Sequence, residues 1–587
     1  MSRDLYQLVL RDLDDCKDWR DRQPELEKLR LAKRKPRRQP YPGAPQLVEP
    51  LVDDNVTALT SAENSILWST SDLAVFLPLY PEGYQLKRVA ERGFDSMLRL
   101  TLNVRAKLEN LFDTKNERGM GIPKMVPNDT ALPGSTLPDF IPVSPLDVIV
   151  PSGTRQLRDA DRVTHVIRYT EREFKMEAQK RGWQNTDAVL QTIHDAPHED
   201  GTNDGEYGVS RSRVQGDDRE NSEAEVVVWE VYAWQEKDGV FRKHRTTLCP
   251  DLPDKPLQTI DWRWDDKVVP LADGDMMVIE GEDRPWPFVQ MRYENRSLAY
   301  YDTRSVGDKL ESDQKEATAF KMAQALMFDY TAKPFLKGPP GSTKSFRWRP
   351  GDTLPPDVEL EIPPRVDPIF EYNLDRTRAI GARRVGTPQG ALSSADQKQD
   401  RKTATEVSQT AMVHNMLSVD AVERFAEPLG ELFAMMWEYM RHNPPQNLPA
   451  VSGNNVAIVP PEAFSVPFLI IPGISGKSAN PELLLRQMMT LGQMMGAFPQ
   501  AQQFVRGDEM AKVLFDQIDP RLTPHLVVDP QQGTATAPLE QRVEQMAAAL
   551  AEIIPQVQAN GQYLAAIAQQ EDAEAKLPKQ GGGQGER

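Results

Sequence analysis

Cysteine is almost missing from this chain. Two residues in 587, Cys16 and Cys249, cannot build a disulfide framework or a cysteine zinc site, and they point to a reducing compartment such as a cytosol. Histidine is also scarce: seven copies, none beside a recognisable nucleophile motif, with no G-x-S-x-G elbow and no H-E-x-x-H pair. No stretch approaches the ~20 apolar residues that a membrane helix needs. The charge-interrupted opening MSRDLYQLVLRDLDD lacks the apolar segment of a signal peptide, so neither export nor membrane insertion is expected. Positive charge is in deficit, with 70 Lys and Arg against 87 Asp and Glu for a net charge of −17. That disfavours an overall basic nucleic-acid binder and confines any cationic role to a local patch. What the chain does have is length, 587 residues, or about four domain-sized units, and 48 prolines, which predict many turns.

Periodicity predicts an α+β protein that is predominantly helical. Leu5, Leu8, Leu13, Trp19, Leu26, Leu29 and Leu31 recur at loosely helical intervals, followed by the basic cluster Lys33 to Arg38, which reads either as a phosphate contact or as a solvated linker. Residues 50–111 read as helices packing a core, through Leu51, Val56, Leu59, Ile66, Leu67, Val89, Phe94, Met97, Leu98 and Leu100. Between 141 and 279 the signal turns to short β runs, Val148 to Val150, Val226 to Trp229 and Met276 to Ile279. Asp195 to Asn221, nearly devoid of apolar residues, reads as a long exposed loop. A long helical pattern over 301–333 and another over 368–385 flank a turn-rich insert with the alternating strand Val358 to Ile362. Thr403-Ala404-Thr405-Glu406 forms a capping box opening a further long helix, which Pro428 should kink. Val543, Met546, Leu550, Ile553, Val557, Leu564 and Ile567 follow heptad-like steps that call for a partner helix, while Pro555 and Gly561 argue against one straight coil.

Enzyme signals fail on inspection. The strand Val466 to Ile471 precedes Pro472-Gly473-Ile474-Ser475-Gly476-Lys477-Ser478, but the first glycine of a phosphate-binding loop would have to stand at position 471, which is Ile471. His194 and His198 at i, i+4 with Glu199 lack a third metal ligand. No catalytic residue, cofactor or metal is expected. The local charge anomaly is more informative. From 376 to 402, seven basic residues, Arg376, Arg378, Arg383, Arg384, Lys398, Arg401 and Lys402, face only Asp396 and Asp400. Either this helix and loop faces a polyanion, or the arginines are solvated or paired with acidic neighbours.

Several motifs in order carry a family resemblance. They are Trp19-Arg20, Tyr41-Pro42-Gly43-Ala44, Tyr301-Asp302-Thr303-Arg304-Ser305-Val306-Gly307-Asp308 opening a helix with Gln314, the β insert, Arg383-Arg384-Val385-Gly386, and Arg401-Lys402-Thr403-Ala404-Thr405-Glu406-Val407. The chain resembles, over most of its length, the portal proteins of tailed bacteriophages of the short-tailed type. The resemblance implies a ring of about twelve copies at one capsid vertex, a virion component assembled in the host bacterial cytoplasm, through which double-stranded DNA is packaged and ejected. It divides the chain into a wing and body (1–300), a first stem helix (301–333), a clip (334–366), a second stem helix (367–385), a tunnel loop (386–402), a kinked wing helix with return strand (403–478) and a helical crown with a flexible tail (479–587). The seven basic residues above would face DNA. Phe346, Trp348, Val358 and Leu360 in the clip would dock the terminase large subunit and later the head-to-tail adaptor and tail proteins. Major capsid and scaffolding proteins are further implied partners, and no membrane is. Two rivals stand beside this reading. A packaging ATPase or nuclease would need an intact phosphate-binding loop and an acidic metal pair. A non-channel capsid or tail component would not need cationic residues focused on one loop.

Overall fold

The computed structural model describes residues 2–33, 46–68, 72–80, 83–195, 225–237, 239–265, 267–270, 276–279, 281–297, 299–332, 335–337, 359–361, 369–386, 424–452 and 455–473. Contacts divide the chain into two units, Met1–Arg521 and Leu522–Arg587, and every described residue belongs to the first. The helices are α1 (Ser2–Asp15), α2 (Lys17–Arg30), α3 (Leu51–Trp68), α4 (Gly83–Ser96), α5 (Arg105–Arg118), α6 (Glu171–Arg181), α7 (Thr186–Asp195), α8 (Val306–Ala332), α9 (Ile369–Val385) and α10 (424–442), with a single turn at Glu462–Ser465. The fold is mixed α+β, with more helix than strand.

Of the β signal read between 141 and 279, Met276–Ile279 pairs with Lys267–Pro270 in a separate antiparallel ribbon, and the rest becomes an antiparallel five-stranded sheet, in the order Val148–Ile149, Arg162–Thr170, Glu225–Lys237, Val240–Leu248 and Gln258–Asp261. Its central strand is apolar on both faces because both are covered, as a buried strand requires. On one face α1 lays Leu5, Val9 and Leu13 against Trp229, Val231 and Leu248. On the other, Phe174 and Ala178 of α6 and Val189 and Leu190 of α7 cover Val226 and Val228. Thr170 and Glu173 close a capping box that fixes where the strand gives way to α6. A second, three-stranded sheet, Met291–Arg292, Met120–Leu132 and Ser135–Val143, packs Met120, Ile122 and Phe288 around Tyr232 of the first.

The largest core joins α3, α4, α5 and α10. Phe76 and Trp437 meet edge-on at 4.7 Å, and Phe94, Phe433, Phe464 and Phe468 complete an aromatic lattice. Here the all-helical reading of 50–111 is corrected. Ala74–Pro78 is a strand, paired antiparallel with Phe468–Pro472 from the far end of the described chain. Alternating burial of Ala74 and Phe76 on one face is a period of two that the flanking helices concealed. The pairing also accounts for Gly473, the glycine that imitates a phosphate-binding loop: its N–H bonds Leu73 O at 2.9 Å, and a β-carbon there would collide with the Asp72 carbonyl. The long pattern over 301–333 begins its helix at Val306, where Ser305 and Asp308 cap each other reciprocally.

Candidate functional site

The region singled out by charge and by resemblance is the hairpin α8–insert–α9. Two strands of its insert, Phe335–Lys337 and Glu359–Glu361, are paired antiparallel with Leu336 opposite Leu360. Leu360 is thus placed on the insert ribbon, while Phe346, Trp348 and Val358 lie outside the described residues. α9 ends at Gly386, whose positive φ of 81° closes the helix with an N–H to Ala382 O bond at 2.9 Å, a conformation that glycine adopts without steric cost. The tunnel-loop residues Lys398, Arg401 and Lys402, the capping box at 403–406, the acidic segment 196–221, His198 and the heptad-like series also lie outside the described residues. His194 lies in the last turn of α7, and its Nε2 lies 3.4 Å from a Glu171 oxygen.

The body-proximal halves of both helices are buried. Val306, Leu310, Asp313, Gln314, Ala317 and Thr318 of α8 and Leu374, Thr377, Gly381, Ala382 and Val385 of α9 face inward. Gln314 pins two elements at once, accepting from Val52 N at 2.8 Å and donating to Leu29 O at 2.7 Å. Glu49 is the ionic hub, taking Lys321 of α8 at 2.6 Å and Arg378 of α9 at 2.6 Å. Burial alone would raise its carboxyl, but the hydrogen bonds and charges of Lys321 and Arg378 outweigh that and hold it below the usual carboxylate range. Nη1 of Arg384 donates to both oxygens of the buried Asp313 at 2.8 Å, and Arg22 of α2 reaches Asp308 at 3.2 Å.

The four described arginines therefore separate into two pairs. Arg378 and Arg384 satisfy the alternative kept open by their sequence, as ion-pair partners that fasten α9 to the body. All four are exposed, but Arg376 and Arg383 lie on the side of α9 opposite its buried residues, whereas Arg378 and Arg384 flank the buried side. With Ile369, Tyr372 and Ile380 they form one stripe at three- and four-residue steps, and Ile369 and Tyr372 are each 52 % exposed. Phe328, at 55 % exposure, lies towards the insert end of α8. No sequence signal divides the arginines this way, because Glu49 and Asp313 are distant in the chain.

Among the described residues no group of three or more His, Cys, Asp or Glu could hold a metal ion, and no helix is long and apolar enough to cross a membrane. No protein-family model matches the chain, and neither does any curated protein searched.

Proposed function

We propose that the chain is the subunit of a ring-shaped channel, a portal at one capsid vertex for packaging and ejecting double-stranded DNA, with about twelve copies around the hole. The observation that carries this reading is the α8–ribbon–α9 hairpin. It is anchored at its base by ion pairs to the buried carboxylates Glu49 and Asp313 and carries Phe328, Ile369 and Tyr372 exposed towards its far end. Large apolar side chains held on a pinned helix pair fit a surface that other copies cover. A closed ring repeats one contact between two different faces of the same subunit.

On this reading the protein is a conduit and assembly hub without catalysis of its own. Arg376 and Arg383, with Lys398, Arg401 and Lys402, supply a sparse cationic lining that touches phosphates without reading bases. A net charge of −17 keeps the rest of the subunit from gripping DNA, since each neutralised phosphate adds affinity that brakes passage. The insert between α8 and α9 docks the terminase large subunit and then head-to-tail adaptors, while capsid and scaffolding proteins meet the body. Negative-stain electron microscopy of the purified protein tests this. Class averages showing rings with a central hole are expected, and compact closed particles without a channel overturn it in favour of a non-channel structural component.

A further inference from the structure

The inner face of the central strand carries the row Val226, Val228, Glu230 and Tyr232. The first two lie under α6 and α7, and Tyr232 lies under the three-stranded sheet. Glu230 sits at the seam, 1 % exposed, and a carboxylate there needs partners. It has one from each side. Lys124 of Met120–Leu132 bonds its Oε2, and Arg181 at the end of α6 bonds its Oε1 at 2.6 Å. The cross-strand neighbour of Glu230 is His165, 7 % exposed, whose Nδ1 lies 2.9 Å from Lys124 Nζ. An ammonium can only donate, so Nδ1 accepts and the histidine proton sits on Nε2. Phe288 closes the pocket, edge-on to His165 and under Lys124. The other charged or titratable groups bearing on the cluster are Arg245, Tyr232, Tyr169 and Glu177, the last paired with Arg181 at 2.7 Å.

This is a seam between two sheets closed by one carboxylate and two cations, with a neutral imidazole filling the remaining place. We propose that it is an acid-released latch: a proton taken up at His165 Nδ1 abolishes the bond from Lys124, adds a third cation facing Glu230, and parts the three-stranded sheet from the five-stranded one. The apolar contacts of Met120, Ile122 and Phe288 with Tyr232 span the seam and open with it, whereas the aromatic core around Trp437 holds no such group and stays packed. The direction follows from linkage. Burial first, and the Lys124 charge second, push His165 down to about 4, against an ordinary histidine value of 6.5. Between those values the open seam binds more protons than the closed one, so closure weakens as the pH falls from about 6.5 towards about 4. The inference is independent of the channel reading.

Hydrogen exchange of the whole protein, followed by mass spectrometry at pH 7 and pH 4.5 and corrected for intrinsic rates, tests it. Opening at 120–127 and 226–233 is expected to rise on the order of 50-fold at the lower pH, while the α4 and α10 segments change little. In His165→Gln, which keeps an acceptor for Lys124 but cannot titrate, that selective rise should vanish. A rise of equal size in His165→Gln, or no selective rise in the unaltered protein, overturns the latch. If His165→Gln does not fold, the unaltered protein decides, because uniform exchange across seam and core also overturns it.

Discussion

The aromatic core around Trp437 and the α8–α9 hairpin are held by opposite means. In the core, Phe76, Phe94, Phe433, Phe464, Phe468 and Trp437 bury one another, and few charges are involved. The hairpin fixes its base through Glu49, Asp313, Asp308 and Gln314, and leaves apolar side chains outside. Burial tolerates no vacancy, whereas ion pairs orient an element without consuming its apolar faces. A region that must keep a face for other copies is better served by the second means.

The comparison breaks most visibly at Trp437. Trp437→Ala removes a ring that touches four aromatic neighbours and should cost about 3–5 kcal/mol, seen as a large drop in the denaturation midpoint. Phe328→Ala at the exposed end of α8 should leave the midpoint of the unassembled subunit unchanged. Equal losses would mean that the hairpin end is packed as tightly as the core. The buried pair Glu63–Lys115, between α3 and α5, sharpens the contrast within the body. Glu63→Leu strands an ammonium and should cost roughly 3–5 kcal/mol, whereas adding Lys115→Met should recover most of it. Unfolding of the single and double variants separates a need for charge from a need for volume.

Much of the helical frame and the β region from 141 to 279 was legible because amphipathic spacing repeats over ten or more residues. The helix boundaries at 305–306 and 385–386 carry local capping chemistry, a Ser-x-x-Asp and a glycine, that can be read in place. Ala74–Pro78 was not legible, since a five-residue strand between helices gains its stability from a partner almost 400 positions away. The division of the arginines was hidden for the same reason: Arg378 and Arg376 look alike until Glu49 is in place. The Glu230 latch did leave a trace. A lone glutamate in Val226-Val227-Val228-Trp229-Glu230-Val231-Tyr232 breaks a strand otherwise apolar on both faces, and such a residue must find a buried cation.

A milder perturbation tests whether the hairpin is held by charge. Glu49→Gln keeps the shape but weakens two charge-assisted bonds, and because Lys321 and Arg378 are partly exposed the cost should be only about 1–2 kcal/mol. Faster hydrogen exchange in α9, with the Trp437 core unchanged, is the expected reading. The same bond gives the hairpin a pH dependence. The folded carboxyl lies below its ordinary value of 4.5, so the stabilisation is present above that pH and is lost as the pH falls through the lower, folded value. Loosening of α9 that begins well above pH 4.5 would place its cause elsewhere.

The smallest effect on stability belongs to the arginines opposite the buried side of α9. Arg376→Ala with Arg383→Ala touches neither Glu49 nor Asp313, and should change unfolding by less than about 0.5 kcal/mol. Arg378→Ala with Arg384→Ala removes the same charge and should loosen α9. On the channel reading the first double variant still forms rings but packages or retains less DNA, because it removes two phosphate contacts and leaves the ion pairs of Glu49 and Asp313 in place. If instead the two variants lowered DNA retention equally at equal ring yield, total charge on α9 would be what matters. The division between fastening and opposite-side arginines would then carry no functional weight.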